Sequence, residues 1–139
     1  MTVVSKTVRL NTKGHCDIVD ITSEVAREVG DSGISNGTAT VFITGSTAGV
    51  TTIEYEPGLL ADLKDMWDRV VPRNIPYQHD RAGGDGNGHS HVRAALLSAS
   101  LTVPFANKRL ALGTWQQIVV LDFDNRARSR EIVVQVMGE

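Results

Sequence analysis

A single cysteine, Cys16, is all the thiol this 139-residue chain contains. An internal disulfide is therefore excluded, as is a zinc site built on cysteine pairs, which needs several thiolates at fixed spacing. Neither sign of charge is in excess: the formal net charge is −2. The strongly basic balance of a general polyanion binder is missing, so no nucleic-acid partner is expected. No run of about 18 apolar residues occurs, so no membrane-spanning helix is expected. The opening "MTVVSKTVRLNTKG" lacks the apolar stretch behind a basic start that marks a secretory signal. These absences predict a soluble, cytoplasmic protein. Its length suits one core and is short for two, so residues 1–139 are read as one domain.

What is present reads mostly as strand. "TVVSKTVRLNT" and "CDIVDI" carry β-branched residues on either side of a turn at Lys13-Gly14. Thr22 then looks like the cap of a short amphipathic helix with Glu24 in its first turn. "TATVFIT" (38–44) is a strong strand, apolar on both faces and so expected to be central. Pro57-Gly58 opens a helix in which Leu59, Leu60, Leu63, Met66, Trp67, Val70 and Val71 recur at helical spacing, until Pro72 stops it. Residues 72–88 form the longest loop. From Leu101 the chain reads as a β-meander of three apolar runs, with turns at "ANK" and "DNRA". The class expected is α+β, an antiparallel β-sandwich-like core flanked by two or three helices.

Against this ordinary background, three of only four histidines fall in one segment. His79 precedes a glycine-rich run, and His89 and His91 stand in "DGNGHSHVRAALLS" (85–98). Neutral imidazole is the commonest ligand for zinc and similar metals, and three convergent histidines with an open position make a catalytic type of site. The two-residue spacing puts His89 and His91 on one face of a strand but on roughly opposite sides of a helix. "SHVRAALLSA" is good helix material, with Ser90 as a cap. If the helix starts there, both histidines can still face one point, together with free N–H groups that attract anions. The alternative is a solvated loop.

Other signals are weaker. "TGSTAGVTT" (44–52) follows a central strand and could cradle a phosphate through its backbone amides, though it lacks the ending of a P-loop. A tight connection between strands explains it equally well. Glu54 and Glu56 share a strand face and face either a site or solvent. Arg126, Arg128 and Arg130 alternate opposite Asp122 and Asp124, which predicts cross-strand ion pairs. His15 reads as a bystander in a turn, and Cys16 as a small buried hydrophobe.

The motifs "NGHSHVRAALL" (87–97), "LGTWQQIVVLDFD" (112–124) and "REIVVQVMGE" (130–139), with "VDIT" and "TGSTAGVTTIEYEPG" before them, resemble the YjbQ-like family. Its members are also described as secondary thiamine-phosphate synthases. The resemblance spans essentially the whole chain. It implies an α+β sandwich, a homotrimer with its site near subunit boundaries, and His79, His89 and His91 as metal ligands, with zinc favoured and magnesium the other divalent ion considered. It further implies His89, His91, Arg93 and Gln116 as catalytic candidates. Asn87 and Ser90, with Thr44, Gly45, Ser46 and Thr47, are the candidates for binding a small phosphorylated molecule. The implied reaction joins a pyrimidinylmethyl diphosphate to a thiazole phosphate and releases diphosphate. The competing expectations are a non-catalytic trimeric module that binds a metal or an anionic metabolite, and a trimer whose histidines are only structural. Many relatives carry His-Thr-Ser where this chain has Gly45-Ser46-Thr47, so a histidine role at that loop is absent here.

Overall fold

A computed structural model describes residues 1–139. β1 (Thr2–Thr12) and β2 (Asp17–Asp20) lead into α1 (Thr22–Asp31), then β3 (Gly37–Ile43), β4 (Ala48–Ile53) and α2 (Pro57–Val70). A single turn, α3 (Gln78–Arg81), precedes α4 (Gly88–Leu97), and β5 (Ser100–Ala106), β6 (Arg109–Leu110), β7 (Gln117–Asp122) and β8 (Arg128–Gly138) complete the chain. The strands form two antiparallel sheets, a five-stranded one in the order β1-β8-β3-β5-β6 and a three-stranded one in the order β2-β7-β4. The α+β sandwich expected from sequence is therefore present. No helix is long and apolar enough to cross a membrane.

β7 explains the layering. Its Ile118, Val119, Val120 and Leu121 are all fully or almost fully buried, which an alternating strand with one wet face would not allow. Ile118 and Val120 join the core between the two sheets, together with Val41, Ile43, Ile132 and Val134. Val119 and Leu121 point the other way, into a second core with Trp67, Ala94 and Phe123 from α2, α4 and the chain just after β7. The small sheet is thus the middle layer of three. The meander expected after Leu101 is broken for this reason: β5 and β6 make a tight hairpin, with Asn107 and Lys108 both at positive φ, but β7 leaves for the small sheet. β8 then returns to the large one, pairing with β1 along its whole length and with β3.

β3 is central, as expected, but only Ala39, Val41 and Ile43 on one face are buried, and Phe42 on the other is exposed. Two helix starts also differ from the sequence reading. Thr22 is the first residue of α1 rather than its cap; its hydroxyl donates to Asp20 and accepts the Ile118 N–H, tying the helix to β7. α2 is capped by Glu56, whose carboxylate accepts the N–H groups of Gly58 and Leu59, which gives that side chain a structural role.

The turn from β7 to β8 holds the predicted ion pairs. Asp122 takes a two-pronged contact from Arg130, at 2.7 and 2.8 Å, and Asp124 is 3.0 Å from Arg128. Arg126 is outside these pairs and gives only its backbone N–H to Asp124. Both aspartates have no solvent exposure. Removing one partner of such a pair strands a buried charge, at a cost of about 3–5 kcal/mol. Arg130→Ala is accordingly expected to lose about 3–5 kcal/mol of folding stability, measured by urea unfolding. A loss under about 1 kcal/mol would mean that the pair is solvated in practice.

Candidate functional site

The site is built around α4. The helix begins at Gly88, two residues before the expected start, so His89 and His91 are both inside it. At 100° per residue they diverge by about 200°, and the expected convergence of the two fails for that reason. His89, 6% exposed, turns toward a cavity of about 150 Å³ lined also by His15, Cys16, Lys64, Asp68, Arg73, Arg93 and Phe123. His91 instead faces an open groove with Gly45, Ser46, Ala48 and the small residues of α4. His79, on α3, stacks near His91 with ring centroids 4.5 Å apart. No group of three or more His, Cys, Asp or Glu side chains is placed to hold a metal ion. The donor set expected for a resident zinc is thus divided, His89 on one side of α4 and His91 with His79 of α3 on the other, and does not fit it.

The remaining expected residues also separate. Thr47, Asn87 and Ser90 are buried and spent inside the protein. Thr47 donates to Asp124 and accepts from Arg130. Asn87 donates to Asp124 and Asp85 and accepts from the Asn125 N–H, with the Ser90 hydroxyl oxygen 2.8 Å from its Oδ1. Ser90 reaches the Phe123 carbonyl at 2.6 Å, fastening α4 to the end of β7. Thr44 is exposed and donates to the Glu131 carbonyl. Gly45 and Ser46 are open at the His91 groove. Gln116 bonds Thr52 and Gly113 at the far end of the small sheet; β7 spans six residues, which puts it ~20 Å from the cavity.

Arg93 is the expected residue that stays with His89. It is 2% exposed, and its Nε and Nη2 donate to the Val71 carbonyl at 3.0 and 2.8 Å. This satisfies the C-terminal end of α2 with a cation, the favourable sign there. Nη2 also reaches Asp68 at 3.1 Å, and the guanidinium carbon lies 5.9 Å from the Phe123 ring centre. Arg93, Cys16, His89 and Phe123 form the floor; His15, Lys64, Asp68 and Arg73 form an exposed rim. Three cations thus face one carboxylate, which is itself shared between Arg93 and Arg73.

Sequence reasoning missed His15, Cys16, Lys64, Asp68 and Arg73. Lys64 and Asp68 read as the solvent face of α2, and no spacing links them to residue 15 or 89. The one local signal was Gly14: it sits at φ +75, and a Cβ there would meet the Arg126 and Asp124 carbonyls at 2.5 and 2.6 Å. The chain therefore presses against the 124–126 turn, which aims His15 and Cys16 at the cavity.

Electrostatics inside the cavity are one-sided. Burial pushes the Cys16 thiol up, and Arg93 and Lys64 only partly oppose this. Burial, then Arg93 and Arg73, push the His89 imidazole below its usual range, so it is neutral at pH 7. Its tautomer follows from hydrogen bonding. The single Ser90 hydroxyl proton goes to one of two pure acceptors, Phe123 O or Asn87 Oδ1. Ser90 Oγ, 3.2 Å from His89 Nε2, must then accept from that ring nitrogen. His89 Nδ1 is left with a lone pair and no protein partner.

A two-sheet α+β sandwich with a small cationic cavity under one helix is the class so defined. The sequence profile described as "UPF0047 protein YjbQ-like" matches residues 6–139, and the chain belongs to that family. A UPF0047 protein of Methanothermobacter thermautotrophicus is 39% identical over 139 residues, covering 100% of this chain and 95% of that one. UPF0047 protein YugU of Bacillus subtilis is 34% identical, with 96% and 98% covered. Among solved structures, a YbjQ-like protein of unknown function from Sulfolobus solfataricus superposes with a TM-score of 0.94 at 31% identity, covering 99% of both chains.

Nitrogen NMR of labelled histidine checks the tautomer. His89 is expected as the Nε2–H form, taking up its second proton at lower pH than an exposed histidine. Because its folded value is depressed, the stability it lends is present above the unfolded value of about 6.5 and is lost as pH falls toward the folded one. A His89 that becomes imidazolium at the same pH as the histidines of the unfolded chain, or at higher pH, would contradict this electrostatic assignment.

Proposed function

We propose that the cavity binds the phosphate end of a small phosphorylated molecule and stabilises its departure in a transfer reaction. The single observation behind this reading is three cations, one of them buried, converging on a space of about 150 Å³. That space is small and opens at an exposed rim, which suits the phosphate end of a substrate. The rest of the substrate lies outside, across the rim. Cations stabilise negative charge as it develops on a leaving group, and the buried, hydrogen-bonded Arg93 needs no reorganisation when the bond breaks.

The named reaction, from the family resemblance, is thiamine-phosphate formation. Lys64, Arg73 and Arg93 hold the departing diphosphate, while the thiazole nitrogen attacks the pyrimidinylmethyl carbon from the opposite side, in line. That nitrogen is already a lone-pair nucleophile and needs no base. The donors do not fit a resident zinc on His79, His89 and His91. The alternative reading, a binding module without turnover, uses the same cavity.

Calorimetric titration with inorganic pyrophosphate separates the outcomes. Binding that weakens at least about tenfold in Arg73→Ala, one charge contact being of order 1.4 kcal/mol or more, supports the cavity. Product formation from the two thiamine precursors that falls by orders of magnitude in folded Arg93→Ala supports transfer. Binding without product leaves the module, and no binding removes both readings.

The homotrimer implied by the resemblance is proposed with its contact on the outer face of the large sheet. Val3, Phe42 and Met137 are exposed there, and β8 brings Val133 beside Phe42. Unlike the charged surface of a solitary sheet, this face is nearly uncharged along β3, which suits burial against copies of itself. Light scattering is expected to give three times the chain mass, and Phe42→Glu to give a single chain. A wild-type monomer at micromolar concentration would refute the assembly.

A further inference from the structure

The cavity holds more than anion binding requires. Cys16 lies on its floor, 5% exposed, and its sulfur makes no hydrogen bond in the protein. In the same lining, His89 is more than nine-tenths buried and offers the cavity a free Nδ1 lone pair. Arg93, more buried still, has Nη1 without a partner, since its other two nitrogens take all the contacts to Val71 and Asp68. A thiol, an unoccupied base and an unoccupied cation thus line one small space. No structural need of the fold accounts for the lone pair or for Nη1.

We propose that Cys16 is a nucleophile for anionic substrates bound in this cavity, with His89 as its base. The cations set the negative end of the substrate against Lys64, Arg73 and Arg93, which leaves an adjacent electrophilic carbon near the sulfur. As the sulfur bonds to that carbon, the S–H proton passes to His89 Nδ1, and the leaving group departs with the bonding electron pair. A second nucleophile then attacks the same carbon. The C–S pair returns to sulfur, and the proton returns from His89. No oxidant or other co-reactant is consumed.

This route rests on the anion reading of the cavity and adds a covalent stage to it. In the thiamine case, the pyrimidinylmethyl carbon would be carried on Cys16 between departure of diphosphate and attack by the thiazole nitrogen. Two displacements retain configuration overall and allow diphosphate to leave before the second substrate binds. A protonated thiol also needs a base at the moment of attack, because the thiolate is the nucleophile.

Two alkylating probes of the same size test it: iodoacetate, an anion, and iodoacetamide, its neutral counterpart. Both form a C–S bond at Cys16 and release iodide, and intact-mass spectrometry counts the adduct. On the folded wild type, iodoacetate is expected to react at least fivefold faster relative to iodoacetamide than it does on the same chain in urea. Pyrophosphate is expected to slow it. His89→Ala and the milder His89→Gln are both expected to slow the two probes by about tenfold or more while keeping the charge preference. Cys16→Ser should show no adduct.

A folded thiol that reacts with neither probe, or prefers them as the urea-unfolded chain does, overturns the proposal. So does full reactivity in both His89 variants. Pyrophosphate binding measured on the same sample tells which layer has failed. Binding with an inert thiol removes only the covalent stage, whereas no binding removes the anion site beneath it.

Discussion

Two carboxylates that never meet solvent, Asp122 and Asp124, sit where β7 leaves the middle sheet, and the placement of the site depends on them. Moving such groups out of water costs several kcal/mol each even after relaxation. They are tolerated because their acceptor positions are used. Asp122 accepts from Thr12, from both prongs of Arg130 and from the Asp124 N–H. Asp124 accepts from Thr47, Asn87, Arg128 and the Arg126 N–H. Burial alone would raise the Asp124 carboxyl; the Thr47, Asn87 and Arg128 contacts outweigh it and hold the group below its usual range. A network so fully occupied adds geometric definition, since every donor has a fixed address.

Those addresses belong to four separate pieces of chain. Thr12 ends β1, Thr47 precedes β4, Asn87 caps α4, and Arg128 and Arg130 open β8. The backbone of the same turn continues the work: Asp124 O takes the His15 N–H at 2.7 Å, and Phe123 O takes the Ser90 hydroxyl. Loop 14–16 and helix α4 are thereby both tied to the end of β7, and together with α2 they line the cavity. The site is therefore a consequence of how the turn is satisfied. Its floor residues stand on elements tied to one polar knot, which favours fixed rather than adaptable geometry.

Much of this was legible in sequence and some was not, for identifiable reasons. The apolar periodicity of α2, the β-branched runs and the Asn107-Lys108 turn each reflect local physics, and they appear where the pattern placed them. The ion pairs of Asp122 and Asp124 were legible because their partners lie within eight residues. The course of β7 was less so: four buried residues in a row say that both faces are covered but not by what. The histidines misled through a two-residue shift in one helix start. Ser90 resembled a cap, but its hydroxyl is taken by Phe123 O, 33 residues away. The helix begins earlier instead, and His89 and His91 part company. Lys64, Asp68 and Arg73 could not be read at all, because only the tertiary placement of α2 carries them to residues 15 and 89.

The conformation of loop 14–16 gives a last reason to regard the cavity as more than a packing gap. Gly14, His15 and Cys16 follow one another at φ of 75, 54 and 62. Glycine accepts this freely, but a side-chain-bearing residue in that region costs roughly 1–2 kcal/mol. A relaxed loop would need only the glycine. His15 and Cys16 are held there by the Asp124 carbonyl on one side and by the tight fit of Gly14 against the turn on the other. The fully bonded knot at Asp122 and Asp124 is large enough to carry that strain. What the strain achieves is orientation, bringing an imidazole and a thiol from consecutive residues onto the same cavity. Strain spent on orientation is characteristic of sites that act on a ligand.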